Sequence, residues 1–175
     1  TYRQALRAQR AIGEQRLEGV ILRNLGVILL GLGRGREAED SFHEALALHR
    51  LHGDRFSEGR VLSDLAEIRL LRGELAEAEV LYARSLAAAQ EVGDQRYARI
   101  VGGNQANLAF VRGDLDEAER RMAAALLGME AINGPRATAY YLAFAGALAA
   151  RRGDFPLAEE RFGAAHARLD PIGDR

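Results

Sequence analysis

The sequence predicts an all-α protein, a right-handed α-solenoid of antiparallel helix pairs. The prediction depends on three observations: glycines recur every 40 residues, an Ala–Glu pair recurs with the same period, and the apolar residues between them follow helical spacing. No segment alternates apolar and polar residues as a strand does. A period of this length indicates repeats that stack on one another and share a continuous core.

The recurring glycines mark where helices end and begin. One series is Gly13, Gly53, Gly93 and Gly173, with Asn133 in the missing place, and the other is Gly33, Gly73, Gly113 and Gly153. Glycine or asparagine readily takes the left-handed conformation that closes a helix. Aspartates follow many of these glycines directly, as at Asp54, Asp94, Asp114 and Asp154. An acidic side chain there caps the next helix, so each mark predicts a helix–helix junction.

These junctions place two antiparallel helices in each unit. The first helices are predicted near 15–32, 55–72, 95–112 and 135–152, and the second helices near 36–51, 75–91, 115–131 and 155–169. Residues 2–12 match a second helix. We therefore expect one domain over 1–175, a piece of a longer protein, with a partial repeat at 1–12 and repeats at about 13–52, 53–92, 93–132 and 133–172.

Small and large residues recur at fixed places in each repeat. They are Gly26, Ala38, Phe42 and Ala45; Ala66, Ala78, Tyr82 and Ser85; Ala106, Ala118, Met122 and Ala125; and Gly146, Ala158, Phe162 and Ala165. This spacing resembles the tetratricopeptide repeat family, in which small residues let two helices cross closely and a large residue fills the space beside them. The period of 40 rather than about 34 residues is similar to the longer-helix branch found in kinesin light chains and bacterial regulators.

The resemblance implies that the first helices line a concave groove, which binds a protein or peptide. The residues expected in this groove are Arg23, Asn24, Val27 and Leu30; Arg60, Asp64, Glu67 and Leu70; Ile100, Asn104, Asn107 and Phe110; and Tyr140, Ala147 and Arg151.

Asn24, Asp64 and Asn104 take the same place in successive repeats. Related peptide-binding arrays use asparagines there to hold the main chain of a ligand. An amide suits this role because it both donates and accepts hydrogen bonds. The alternative is that these side chains bond only the neighbouring helix or water.

Gly102 and Gly103 lie inside a predicted helix, where each costs roughly 0.5–1 kcal/mol relative to alanine. Gly102 replaces a leucine that the other repeats have at Leu22, Leu62 and Leu142. The two glycines either leave a pocket for a ligand side chain or allow tight packing against the next repeat. The second interpretation is the one we favour.

The sequence predicts no catalytic residue, cofactor or metal site. Cysteine is absent, which excludes thiolate catalysis and cysteine-based zinc sites. His49 and His52, with His43 nearby, could approach a metal, but no carboxylate is placed to complete the set. Gly31, Gly33 and Gly35 have neither the preceding strand nor the following Lys–Ser/Thr of a phosphate loop.

Composition narrows the class of partner. The 24 basic and 25 acidic residues give a net charge of −1, which argues against direct binding of nucleic acid. No run approaches the roughly 18 apolar residues of a membrane-spanning helix. All basic residues are arginine, and with abundant alanine, glycine and leucine this indicates a GC-rich, bacterial source. We expect a cytoplasmic location, and exposed ends of the array could drive self-association into a homo-oligomer.

Together these observations predict a non-enzymatic protein–protein interaction module within a larger bacterial regulatory or signalling protein. The alternative is a ligand-sensing domain of a transcription regulator, which would bind a small effector or a signalling peptide and change curvature in response.

Overall fold

The computed structural model describes residues 15–127 and 134–169, and every regular element in these ranges is an α-helix. The helices are α1 Gln15–Gly31, α2 Gly35–Leu51, α3 Arg55–Leu71, α4 Leu75–Glu91, α5 Gln95–Arg112, α6 Leu115–Leu126, α7 Gly134–Arg151 and α8 Phe155–Leu169. Odd-numbered helices are the first helices of the predicted repeats. The all-α repeat fold is therefore confirmed. The half-repeat predicted at 2–12 lies outside the described residues, as do Gly13, Asn133 and Gly173.

One predicted helix is too long. The second helix of repeat three was expected to reach residue 131, but Leu127 already leaves helical geometry with φ −58° and ψ 111°. Gly128 comes next in the sequence, and a glycine within a helix costs roughly 1 kcal/mol relative to alanine. The guanidinium of Arg99 donates to the Leu127 carbonyl, which satisfies an acceptor that the helix end leaves open. The other described helices agree with their predicted bounds to within one residue.

The described junctions have the predicted chemistry. Their glycines have φ angles between 63° and 89°: Gly33, Gly53, Gly73, Gly93, Gly113 and Gly153. Three of the predicted aspartate caps accept a hydrogen bond from the third backbone N–H that follows. Asp54 accepts from Ser57 at 3.0 Å, Asp114 from Glu117 at 3.2 Å and Asp154 from Leu157 at 3.1 Å. Each such cap stabilises its helix by about 1 kcal/mol.

The chain divides into two compact units, Thr1–Asp94 and Gln95–Arg175. Unit 1 contains α1 to α4 and unit 2 contains α5 to α8, so each holds two of the predicted repeats. The organisation of 1–175 as a single domain stays a prediction.

Each unit has its own buried core. In unit 1 the core consists of Leu22, Leu29, Ala38, Phe42, Ala45, Leu46, Val61, Leu62, Leu65 and Ile68. The core of unit 2 is made of smaller clusters, in which Met122 packs on Tyr141, Ala118 on Leu148, and Leu142 on Ala165. None of the described helices is both long and apolar enough to cross a membrane.

The small and large residues meet as their spacing predicts. A Cβ atom built on Gly26 would lie 2.5 Å from the Phe42 ring, and one built on Gly146 would lie 3.0 Å from the Phe162 ring. Phe42 is fully buried, whereas Phe162 is 45% exposed.

The recurring glutamate joins successive repeats within each unit. In unit 1, Glu39 of α2 pairs with Arg69 and Arg72 at the end of α3, and both N–O distances are 2.6 Å. In unit 2, Arg152 at the end of α7 pairs with Glu119 of α6 at 3.1 Å. Arg152 takes the same place in its repeat as Arg72, and Glu119 the same place as Glu39. The Ala–Glu series therefore also marks where one repeat is bonded to the next.

Candidate functional site

The groove residues predicted in unit 1 lie on α1 and α3. We call this surface the first-helix surface of unit 1; it consists of Arg23, Asn24, Arg60, Asp64 and Glu67. An ion pair connects the two helices: Nε of Arg23 donates to Oδ2 of Asp64 at 2.5 Å, and Nη2 donates to Oδ1 at 3.0 Å. The two side chains are only 20% and 15% exposed. Because a guanidinium and a carboxylate match in shape, this double contact holds both side chains in place.

The Asp64 carboxylate has an unusual protonation equilibrium. Burial raises the pKa of Asp64 to about 6, although the guanidinium of Arg23 favours the charged form. The carboxylate of Glu67, less than one turn further along α3, adds to the rise. Asp64 therefore titrates close to neutral pH, and a cation bound at this surface would keep it charged.

Phe56 belongs to the same surface, although the sequence analysis did not identify it. The guanidinium carbon of Arg60 lies 5.3 Å from the centre of the Phe56 ring, and the ring is 41% exposed. The signal for it is the spacing of four residues, which brings an aromatic ring and an arginine together on one helix face. A guanidinium that stacks on a ring can still donate from its edge to a carboxylate.

The structure distinguishes the three residues at the recurring asparagine position. Asp64 bonds the neighbouring helix through Arg23, and Asn104 is also engaged in an interaction. Asn24, in contrast, is half-buried and makes no hydrogen bond within the described residues. The contact with the neighbouring helix thus holds for Asp64, whereas the amide of Asn24 is left to water or to a ligand.

The groove residues predicted in unit 2 lie on α5 and α7. This first-helix surface of unit 2 consists of Asn104, Asn107, Phe110, Tyr140 and Arg151. Phe110 meets the ring of Phe144 edge-on, with ring centres 5.3 Å apart and an interplanar angle of 66°. The guanidinium carbon of Arg151 lies 5.5 Å from the centre of the Phe110 ring. Unit 2 therefore repeats the pairing of arginine with an aromatic ring that unit 1 has at Phe56.

Asn107 lies next to this aromatic cluster. It is half-buried, comes one turn before Phe110 on α5, and makes no hydrogen bond among the described residues. Tyr140 is 58% exposed on α7, where it contacts the edge of Tyr141 at a ring separation of 5.4 Å.

The paired glycines of α5 have different surroundings. A Cβ atom on Gly103 would lie 2.2 Å from Cε1 of the buried Tyr141, so the tight-packing interpretation is correct for this residue. A Cβ atom on Gly102 would meet no heavy atom within 4 Å among the described residues. Gly102 is therefore not explained by packing.

One predicted groove residue is wrong. Leu70 is only 9% exposed, because α3 packs against α1, α2 and α4 and buries side chains on most of its circumference. Leu30 and Ile100 are half-buried and pack against the cores of their own units. The exposed face of α3 is consequently narrower than the sequence predicts.

Two of the histidines, His43 and His49, belong to the second helix α2. His49 is buried, with Nδ1 3.5 Å from Oδ2 of Asp54, and His43 is exposed on α2, with Nε2 3.8 Å from Oε1 of Glu39. Within the described ranges, no three metal-ligating side chains come together as a group that could hold a metal ion.

The family comparison agrees with the geometry. Two models of the tetratricopeptide repeat match the chain, at residues 17–91 and 101–127, and together they cover more than half of it. A comparison with curated protein sequences gives no match.

Several solved structures have the same fold. BtubC (BKLC) from P. vanneervenii superposes with a TM-score of 0.77 and 21% identity, over 99% of this chain and 72% of that one. The Rap conjugation gene regulator of plasmid pLS20, in complex with the Phr* peptide, superposes with a TM-score of 0.89 and 12% identity, over 99% of this chain and 48% of that one. The apo form of RapI superposes with a TM-score of 0.80 and 14% identity, over 99% of this chain and 63% of that one. This chain therefore spans about half to two thirds of the length of the two regulators. The matching repeat models agree with the recurring small and large residues and with the helix pairs of both units. This chain therefore belongs to the tetratricopeptide repeat family.

Proposed function

We propose that this chain is a protein-interaction module whose first-helix surfaces bind a peptide segment of a partner protein. The observation that carries the proposal is the Asn107 amide, half-buried beside Phe110 and without a hydrogen bond among the described residues. No side chain among the described residues occupies this amide, so a ligand can bond it by displacing water. The main chain of a peptide supplies both a donor and an acceptor, whatever its side chains. Asn24 has the same properties in unit 1.

The arginine–aromatic pairs add side-chain anchors to this main-chain contact. Phe56 with Arg60, and Phe110 with Arg151, combine an apolar ring with a guanidinium edge. Aromatic residues and arginines carry much of the binding energy at protein interfaces. We therefore expect the bound segment to contain apolar side chains next to carboxylates.

The fold comparison is compatible with this proposal. The Rap regulator of plasmid pLS20 has the same fold and was solved in complex with a peptide. A shared fold does not establish a shared function, so the proposal depends on the side chains described above. A concave groove that joins the first-helix surfaces of the four repeats stays a prediction.

Peptide selection tests the proposal. A random peptide library displayed on phage is selected against the chain, and the dissociation constants of the enriched peptides are measured by fluorescence polarisation. For each peptide, Asn24→Ala or Asn107→Ala should weaken binding roughly 5- to 100-fold, because one or two hydrogen bonds to a main chain contribute about 1–3 kcal/mol.

Gln90→Ala is the matched control. Gln90 is an exposed amide on the second helix α4, so its removal should leave the affinities unchanged. Peptides whose affinity is the same in wild type and in both asparagine variants would contradict the assignment.

A further inference from the structure

The side of unit 1 opposite its first-helix surface contains a groove of about 520 Å³. It lies between α2 and α4, with α3 beneath, and we call it the second-helix groove of unit 1. Each helix contributes residues at intervals of three or four: Leu46 and Arg50 from α2, Leu62 and Leu65 from α3, and Val80 and Arg84 from α4. This spacing places each set on one helix face, so the groove runs parallel to the helices.

The floor of the groove is apolar and one wall exposes a large apolar side chain. Leu46 is 6% exposed, and Leu62 and Leu65 are each 2% exposed. Val80 is 58% exposed, although it lines the same groove as these buried leucines. An exposed apolar side chain that continues a concave apolar floor is typical of a binding surface.

The charges at the rim favour an acidic occupant. Arg84 is exposed and forms no ion pair or hydrogen bond within the described part of the chain. Arg50 pairs with Glu58, and the same carboxylate also pairs with Arg55. Arg69, deeper in the groove, is already neutralised by Glu39 and Glu77. The groove therefore offers an unpaired guanidinium beside its apolar floor and no unpaired carboxylate.

The corresponding groove in unit 2 is smaller and has its arginines at other positions, Arg152 and Arg161. Its volume is about 200 Å³. Alanines stand where unit 1 has basic side chains: Ala123 corresponds to His43, Ala149 to Arg69 and Ala164 to Arg84. The larger volume and an arginine at the place of Arg84 are therefore features of unit 1 and not general consequences of the repeat.

We propose that the second-helix groove of unit 1 binds an acidic amphipathic helix of a partner protein. The lining residues of α4 extend from Ala76 to Arg84, which corresponds to about 12 Å, or roughly two helical turns. Two turns present apolar side chains at positions i, i+4 and i+7 to Leu46, Leu65 and Val80, as in helix-in-groove recognition. A carboxylate on the helix flank pairs with Arg84. This site is separate from the first-helix surfaces and does not depend on the function proposed for them.

A library of helical peptides tests this proposal. Leucine is fixed at i, i+4 and i+7, and the flanking positions are randomised among aspartate, lysine and serine. Peptides selected against the chain should be enriched in aspartate. Val80→Asp and Arg84→Glu should each weaken their binding by about tenfold or more, measured by fluorescence polarisation, and Arg84→Glu should improve the binding of lysine-containing peptides.

Two control variants have matched chemistry. Val111→Asp changes a valine that is 53% exposed on α5, and Arg36→Glu changes another arginine without a partner in the described residues. Both should leave the affinities unchanged. Val80 and Arg84 are exposed, so their variants should keep the wild-type circular dichroism spectrum, and Val80→Ser provides a milder version of the first change.

Three outcomes would overturn the proposal: no helical peptide is enriched, the enriched peptides show no preference for aspartate, or their binding is insensitive to Val80 and Arg84. Peptides whose affinity is lowered by Asn24→Ala or Asn107→Ala bind the first-helix surfaces instead. The two proposals can therefore fail independently.

Discussion

Gly102 and Gly103 are neighbours in α5 with opposite consequences for stability. Successive residues of a helix point about 100° apart, so the two positions face different surroundings. Gly103 faces the buried ring of Tyr141, and any side chain there would overlap it. Gly102 faces open space among the described residues, so its only local effect is the conformational freedom that glycine gives to the unfolded chain.

Replacing each glycine by alanine should separate these effects. Gly103→Ala should lower the free energy of unfolding by about 1–3 kcal/mol, because the Tyr141 ring must move within a packed core. Gly102→Ala should raise it by about 0.5–1 kcal/mol. Urea unfolding followed by circular dichroism measures both, and equal effects of the two changes would contradict the packing described here.

The sequence could identify this pair as unusual but could not assign a role to each glycine. The role of Gly103 depends on Tyr141, which belongs to the next repeat, and helical spacing within α5 carries no information about that residue. Phe56, in contrast, could have been found from the sequence, because Arg60 follows it by four residues on the same helix.

The helices themselves could be predicted almost completely, because local signals determine where each one begins and ends. Glycines with positive φ close the helices, and aspartates such as Asp54 and Asp154 bond the first turn of the next. The exception is α6, which ends at Leu126, where Arg99 of a different helix donates to the carbonyl of the capping residue Leu127. Contacts of this kind join different helices and cannot be recognised from the repeating pattern of the sequence.

The packing of α6 leads to a prediction about helix crossings. Ala118 is fully buried between Ala109 of α5 and Leu148 of α7. Ala118→Leu should therefore overpack this contact and lower the free energy of unfolding by about 1–3 kcal/mol.

Ala124→Leu provides the control on the same helix. Ala124 is exposed, and the same change there should alter stability by no more than about 0.5 kcal/mol. Chemical unfolding of the two variants side by side measures the difference, and similar destabilisation by both would show that Ala118 is not at a close crossing.

The stability of the whole molecule should depend on pH through two buried groups that act in opposite directions. Burial lowers the pKa of His49, although the Asp54 carboxylate opposes the shift. The unfolded chain therefore binds a proton at His49 first, and stability falls as the pH drops below about 6.5. Asp64, with its pKa raised to about 6 by burial, binds its proton more readily in the folded state, so it contributes increasing stability as the pH falls from about 6 towards 4.

A single variant isolates the histidine contribution. His49→Leu introduces the residue that repeat four has at the same place, Leu169, and removes the titrating group. Between pH 7 and pH 5, wild type should lose stability relative to this variant, as measured by urea unfolding at each pH. Parallel pH profiles would contradict the lowered pKa of His49.

The functional surfaces were predicted less completely than the fold. Register alone placed Arg23, Asn24, Asp64, Asn107 and Phe110 on the first helices, where the structure has them. Register could not show that Arg23 and Asp64 neutralise one another, or that Asn24 and Asn107 remain without a bond among the described residues. The second-helix groove was not predicted at all, since its width depends on how three helices from two successive repeats approach.

The ion pairs of Glu39 with Arg72 and of Glu119 with Arg152 occur at the same place in two different repeats. A repeat with both residues can form two such ion pairs, its arginine with the glutamate of the preceding repeat and its glutamate with the arginine of the following repeat. Duplication or loss of a repeat in the gene could therefore change the length of such an array, and each new junction between repeats would still have both members of its ion pair. Each added repeat would contribute an acid and a base together, so that the near-neutral balance of this chain would be preserved at any length.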